Sequence, residues 1–495
     1  MTTGHDRFQR TEVDGVLVLH TDGDDGRLQG GLVFRVGMCD EELPAHGITH
    51  LIEHLALFPH RNVPFSMNGM TGMTTTSFVA DGSPQEVGAH LSNVAATLAQ
   101  LPYERLEIES RVLRAEAARR SASAQTAALA IRYGATSFGL PNREELGLHH
   151  PSAQHLEAWR QYFMTRGNAF VWLSGPPPPE LDLSALPSGD RRPVPMALPL
   201  PLQTPARARL GSEGVSVSMT SARTTAHTAA MVVLSRVLHE RLRNDLGLSY
   251  HVGLGRELLS SELAHWTIGA DCRPDDTAVV IGHIQAEFAR LRVEGIPSAE
   301  LARYASQWQR AELEEHAPLS EAVAWGHDWL LGIEPPTFSA LGERVAGLTP
   351  QAVSTALVST LTTALWLVPR GVEFKDKRIV DVASWSATRL HGTVYKLREE
   401  FDGGPTKERF IVGAEGLSWE WEEGEHSGAV TVMWAAAVAA IQHPDGWTII
   451  GRDGFQVHIV ERMWIGGDQV TASIAAHVPP ERVVRSGDRL AANPA

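Results

Sequence analysis

Apolar positions change their period three times along the chain. Residues 13–20 and 31–37 run through aliphatic and β-branched side chains between Gly and Asp, which predicts two strands. Ile48, Leu51, Ile52, Leu55 and Phe58 then recur at helical spacing, as do Val87, Leu91, Val94 and Leu98, and a third helical stretch is predicted from about Leu106 to Ile131. Between 175 and 205 the pattern stops. Pro176 to Pro179 stand in a row and further prolines follow at 187, 193, 195, 199, 201 and 205, so this stretch reads as an extended, stiff linker. Strand, helix, strand and helix patterns resume near 215–219, 229–244, 266–270 and 278–291, a divergent repeat of the first part. From about Glu373 the texture changes to short strand candidates at 410–412, 417–421, 430–434, 447–450 and 455–460, separated by Gly-rich turns.

These changes predict an α+β fold with boundaries at 1–174, a Pro-rich linker at 175–206, a second α+β domain at 207–372 and a small, mostly β domain at 373–495. Composition narrows the class. With 43% hydrophobic and 20% charged residues over 495 positions the chain is of soluble globular type, and no apolar run is long enough to span a bilayer. The polar N-terminal residues carry no secretory pattern, which leads to the expectation of a cytoplasmic protein. Cys39 and Cys272 are the only cysteines and lack any paired spacing, so they are expected to be free thiols. A net charge of −15 argues against a nucleic-acid partner and leaves a peptide or protein as the better fit.

The candidate chemistry lies in His50-Leu-Ile-Glu53-His54. On a helix, His50 and His54 stand one turn apart on one face and can reach a single metal ion, with Glu53 beside them. Zinc suits two His and one carboxylate, with a further position left for a water whose pKa the metal lowers. Glu53 is the expected general base. The carboxylate ligand should come from another element. Glu109 and Glu116 share one face of the third helical stretch, which makes Glu116 the expected third metal ligand and Glu109 the acceptor that orients a ligand His from behind. His20, His60, His149, His150 and His227 have no spaced partners and are assigned no role, and the acidic segment Trp419 to His426 reads as a solvated hairpin.

His50 to His54 matches the inverted zinc motif of the pitrilysin/insulinase metallopeptidases. Residues around it agree. Gly37 to Gly47 resembles the family's approach to the zinc helix, and Asn68-Gly-Met-Thr71 followed by Thr74 to Phe78 is similar to its substrate-pairing segment. Glu109 and Glu116 match the second glutamate motif, and Leu242-Arg243 to Tyr250 is similar to the Arg/Tyr motif of the second domain. The resemblance covers roughly residues 10–370. It implies two pitrilysin-type α+β domains of one topology, the first holding Zn2+ through His50, His54 and Glu116. It further implies that Asn68 and Thr71 bind substrate, and that Arg243 and Tyr250 contact substrate and stabilise the oxyanion. The expected function is a zinc-dependent endopeptidase acting on peptides or short unfolded segments. The alternative is a catalytically silent pitrilysin-like peptide-binding or partner subunit. Two such domains imply a homodimer, or a heterodimer with a related subunit. The C-terminal strands look like a pleckstrin-homology-like barrel in a peptide-docking or dimer-supporting role.

Overall fold

The structure, a computed structural model, describes residues 7–23, 26–120, 123–210, 214–372, 374, 376–402, 404 and 406–487. It opens with a hairpin of β1 (Gln9–Val13) and β2 (Val16–His20). The chain reverses at Asp14-Gly15, both at positive φ (52° and 85°), the Asp-Gly pairing that tight hairpins favour. Residues 13–20 are therefore a turn and a strand, not one continuous strand.

In the first unit the hairpin joins β3 (Leu28–Phe34), β4 (Ser66–Thr71), β5 (Thr76–Gly82) and β6 (Ala169–Leu173) in a six-stranded sheet of order β1-β2-β6-β3-β5-β4. Its helices are α1 (Ile48–Leu57), α2 (Pro84–Ala99), α3 (Leu106–Ala117), α4 (Ala124–Tyr133) and α5 (Ala153–Phe163). The third helical stretch thus divides into α3 and α4, the latter begun by Ser123, whose side chain accepts from Thr126 N. Leu51, Ile52, Leu55 and Ala56 of α1 pack with Leu32, Phe34 and Phe78 of the sheet in one core. Their helical spacing is the reason α1 turns its other face outward.

The second unit repeats the topology. β7 (Ala206–Leu210), β8 (Val215–Ala222), β9 (Val252–Leu258), β10 (Leu263–Ala270), β11 (Leu365–Pro369) and the short β12 (Val380–Asp381) form a sheet of order β12-β7-β11-β8-β10-β9. The run β7-β11-β8-β10-β9 corresponds to β2-β6-β3-β5-β4, and in both sheets the first of these pairs is parallel. α6 (Thr225–His239) takes the place of α1 and continues into a π-helical turn, Glu240–Asp245. The helices α7 (Thr277–Glu294), α8 (Ser298–Glu312), α9 (Ala317–Leu330), α10 (Phe338–Ala346) and α11 (Pro350–Leu361) complete the unit. Arg132 of α4 ties the two units together, its Nε donating to Ser218 Oγ (2.9 Å) and its Nη2 to Thr363 O (2.6 Å). The Pro-rich stretch holds no helix or strand, yet Leu181, Leu183 and Leu186 are buried in the first unit's core. It is strapped down over its first part and is not a free spacer.

The C-terminal part contains two four-stranded sheets. β13 (Thr393–Lys396), β14 (Lys407–Val412), β15 (Gly416–Glu423) and β16 (His426–Met433) run in sequence order, and β15 and β16 make the expected acidic hairpin. β17 (Ala437–His443), β18 (Gly446–Gly451), β19 (Gln456–Val460) and β20 (Val483–Arg485) form the second, in the order β19-β18-β17-β20. α12 (Gly467–His477) follows the last strand candidate and starts directly after Gly466, a helix the strand pattern does not predict. Among the described residues no closed barrel is formed, so the expected barrel is replaced by two open sheets and a helix. Ala439, Ile441, Ile450 and Val484 of this part share a core with Leu43, Ala135, Leu140 and Leu146 of the first unit. Cys39 and Cys272 are both free.

Candidate metal centre

α1 is anchored before it carries any chemistry. Gly47 precedes it at φ 99°, a conformation that strains other residues, and the buried Glu41 carboxylate accepts from Gly47 N and Thr49 N, both at 2.8 Å. His46 Nδ1 lies 2.7 Å from the same carboxylate. With its start and apolar face fixed, α1 presents His50, Glu53 and His54 to a cavity of about 430 Å³ that is also lined by Asn68, Gly69, Thr71 and Glu116.

Ligand atoms of His50, Glu53 and His54 lie within 4.8 Å of one another. Glu116 reaches in from the last turn of α3, its Oε2 3.9 Å from His54 Nε2. The other ring nitrogens face carboxylates, with His54 Nδ1 3.4 Å from Glu109 Oε2 and His50 Nδ1 3.7 Å from Glu145 Oε1. His54, backed in this way, offers its Nε2 forward, and His50 does so in the tautomer whose Nδ1 proton points to Glu145, not the one that accepts from Arg120 Nη2; together with a carboxylate the two form a donor set that fits zinc.

Glu109 is fully buried and also accepts from Arg61 Nη2 (2.7 Å) and Arg105 Nη2 (3.0 Å). Burial alone would raise its pKa; the two guanidiniums outweigh it and hold the carboxyl below its ordinary range. Glu145 follows the same logic. Burial is overcome by the close approach of His50 and by the Arg120 charge, which bring it down to about 2. Burial would likewise lower His50, but the adjacent Glu145 carboxylate and the nearby Glu53 charge turn the shift upward. His54 is lowered by burial and by the His50 charge. Glu53 goes the other way from Glu109: burial raises it, only partly offset by His50 and by the Thr71 hydroxyl, which donates to Oε2 at 2.9 Å. A carboxyl raised by desolvation beside an open cavity is suited to take up and return a proton.

The expected residues fall into two groups. His50, Glu53, His54, Asn68, Thr71 and Glu116 all line the one cavity, with Glu109 behind it. Thr71 bonds Glu53, so its position is that of a residue that orients the acid. Arg243 and Tyr250 do not line the cavity; Arg243 sits on the π-helical turn with its guanidinium 5.0 Å from the ring centre of Tyr250, which is 78% exposed. Two residues of the centre had not been expected. Arg120 donates to Glu116 Oε1 (2.8 Å) and Glu145 Oε1 (3.0 Å), and its Nη2 lies 3.2 Å from His50 Nδ1. Helical spacing from Glu116 points to Arg120, whereas nothing local in the sequence connects Glu145 with His50.

Residues 195–307 match the family described as "Peptidase M16 inactive domain". No curated protein matches the sequence. Among solved structures, a protease from Helicobacter pylori superposes with a TM-score of 0.60 at 15% identity, covering 74% of this chain and 100% of that one. Over the part covered, the α+β fold is like that of M16-family structures. A peptidase M16 inactive domain from Pseudomonas fluorescens gives 0.59 at 15% identity over 74% and 99% of the two chains. The periplasmic protease PqqL from Escherichia coli gives 0.59 at 12% identity over 87% of this chain and 56% of its own. The family match lies in the second unit and the Pro-rich stretch, so α1 and α3 stand outside it. Among the described residues no helix is long and apolar enough to cross a membrane.

Proposed function

We propose that the chain is a zinc-dependent peptidase of M16 type in which His50, His54 and Glu116 hold the metal and Glu53 is the general base. The observation that carries this reading is the convergence of His50, Glu53 and His54 within 4.8 Å, with Glu116 beside them and a carboxylate behind each imidazole. Zinc bound there supplies a Lewis acid for the scissile carbonyl and lowers the pKa of a water. Glu53 takes the proton of the attacking water at its carboxylate and returns it to the departing amine nitrogen. Thr71 holds that carboxylate in line through its hydroxyl. β4 is the edge strand of its sheet and borders the cavity through Asn68 to Thr71, so an extended peptide can pair with its free backbone groups and run past Glu53. Arg243 and Tyr250, which do not line the cavity of their own chain, reach the centre of a second copy in a homodimer, or of a related subunit in a heterodimer, where a guanidinium and a phenol hydroxyl stabilise the oxyanion.

The second reading, a silent peptide-binding or partner subunit, is supported by the comparison itself, since the matched segment is described as an inactive domain. It also draws on Arg120, whose positive charge stands within the ligand set. Elemental analysis of wild type and His54→Ala, with cleavage of a fluorogenic peptide mixture by wild type and Glu53→Gln, separates the two. The peptidase reading expects about one zinc per chain, lost in His54→Ala, and chelator-sensitive cleavage abolished in Glu53→Gln. A wild type that stays metal-free in added zinc establishes the silent subunit instead. Mixing Arg243→Ala with Glu53→Gln chains tests the shared site, which requires cleavage to return in the mixed dimer.

A further inference from the structure

The C-terminal part has no place in the chemistry proposed above, yet a continuous line of contacts joins it to two of the three expected ligands. Glu116 is 47% exposed on the last turn of α3, and a side chain with that freedom does not hold one rotamer unaided. Arg120 restrains it by donating to Oε1, which leaves Oε2 facing His54. The same guanidinium bonds Glu145, which is buried and faces His50. Glu145 belongs to a segment that holds no α-helix, 134–148, fastened to the turn between β18 and β19. Ala135 N donates to Arg452 O at 2.9 Å, and Arg143 Nη1 donates to Gly454 O at 3.2 Å. The fit there is tight, because a Cβ at Gly134 would stand 1.9 Å from Arg452 O and one at Gly454 would stand 2.0 Å from Arg143 Nη2. Leu140 and Leu146 bury themselves against Ala439, Ile441 and Ile450 on either side of these bonds.

We infer that Arg120 is a positioning residue for Glu116 and holds the Glu145 carboxylate that faces His50, and that the C-terminal part belongs to the scaffold of the metal centre, placing Glu145 where it anchors Arg120. The plain alternative is a surface ion pair between neighbouring helix positions. Two features set Arg120 apart from such a pair. It bridges two carboxylates through both terminal nitrogens, and one of those carboxylates is buried. The inference rests on the metal-centre reading, and the test keeps the two apart.

Zinc affinity of the full chain is measured by competition with a chromogenic chelator for wild type, His54→Ala, Arg120→Met, Arg120→Lys and Arg143→Met, with the melting temperature of each metal-free protein recorded alongside. Removing the support behind a ligand weakens metal binding by roughly 10- to 100-fold, which is expected for Arg120→Met. Arg120→Lys keeps the charge but not the planar fork and should recover only part of that loss. Arg143→Met touches no ligand, and its expected effect is about ten-fold, the low end of the same range. If Arg143→Met fails to fold, Arg143→Gln carries the same measurement. Zinc affinity equal to or tighter than wild type in either the Arg120→Met or the Arg143 variant overturns the inference and leaves the metal centre intact. A wild type that takes up no zinc removes the centre, and the inference with it.

Discussion

Replacing Glu109 by Gln keeps the side-chain volume and deletes the charge that three N–H donors share. In the native protein the fully buried carboxylate accepts from Arg61 Nη2 at 2.7 Å, Arg105 Nη2 at 3.0 Å and His54 Nδ1 at 3.4 Å. A hydrogen bond to a charged group contributes about 1.5–3 kcal/mol, so three bound the loss from above. The arginine side chains are 43% and 26% exposed and regain water in the variant, which brings the expected destabilisation down to about 2–3 kcal/mol. At about 1.36 kcal/mol per decade this is roughly a 30- to 160-fold increase in local opening. Amide hydrogen exchange in α1 and α3 reads it directly. The pH dependence gives a second check. Glu109 has a folded pKa below its ordinary 4.5, so its contribution is complete above that value and is lost as pH falls through the lower, folded one. The gap between wild type and Glu109→Gln should be full at neutral pH and should close on acidification. Equal protection at neutral pH, or a gap that persists unchanged into strong acid, would refute the account of how α1 and α3 are joined.

Three further outcomes follow from distances around the centre. Thr71→Val removes the donor 2.9 Å from Glu53 Oε2 and so favours the neutral carboxyl, which moves the acid limb of the kcat/KM profile to higher pH; an unmoved limb would disconnect Thr71 from the base. In Gly69→Ala the new Cβ would stand 2.4 Å from Glu53 Oε1 and 2.7 Å from Leu57 Cδ1, so turnover should fall while zinc content stays constant, as read by parallel kinetics and elemental analysis. Arg35→Met strips the buried Asp40 of its guanidinium partner and should destabilise the first unit by about 3–5 kcal/mol in urea unfolding.

The parts that could be read from the sequence are those whose signal is local. Ile48, Leu51, Ile52 and Leu55 define the buried face of α1, and that face dictates where His50, Glu53 and His54 look. Glu109 and Glu116 were legible for the same reason, being set on one helix at a helical interval. Glu145 was not, because it reaches His50 from a segment with no α-helix or strand, placed by contacts with β17 and β18 more than two hundred residues further on. The short strands of the C-terminal part were legible, but the two open sheets they form among the described residues were not, because alternation within a strand carries no information on whether a sheet closes. α12 was hidden by Gly466-Gly467, a pair that signals a turn yet here supplies the left-handed residue before the helix, Gly466 at φ 75°. Arg243 and Tyr250 do not line the cavity of their own chain, and the shared site proposed for them requires a second molecule, a property that one chain's spacing does not encode.

The repeated topology separates two demands that conflict within a single unit. α6 occupies the place of α1 but buries Ala229, Ala230, Met231, Val233 and Leu234, whereas α1 carries two imidazoles and a desolvated carboxylate toward its cavity. Polar groups gathered in one place strain the helix that bears them, since each must be matched by partners such as Glu109, Glu145 and Thr71. Its counterpart, relieved of that load, is free to be an ordinary packed helix. Substitutions should therefore be filtered by different criteria in the two helices: in α6 by volume and fit, in α1 by charge, tautomer and hydrogen-bond complement as well. A lineage that let the first half drift toward the second would gain a sturdier protein and lose whatever the centre does.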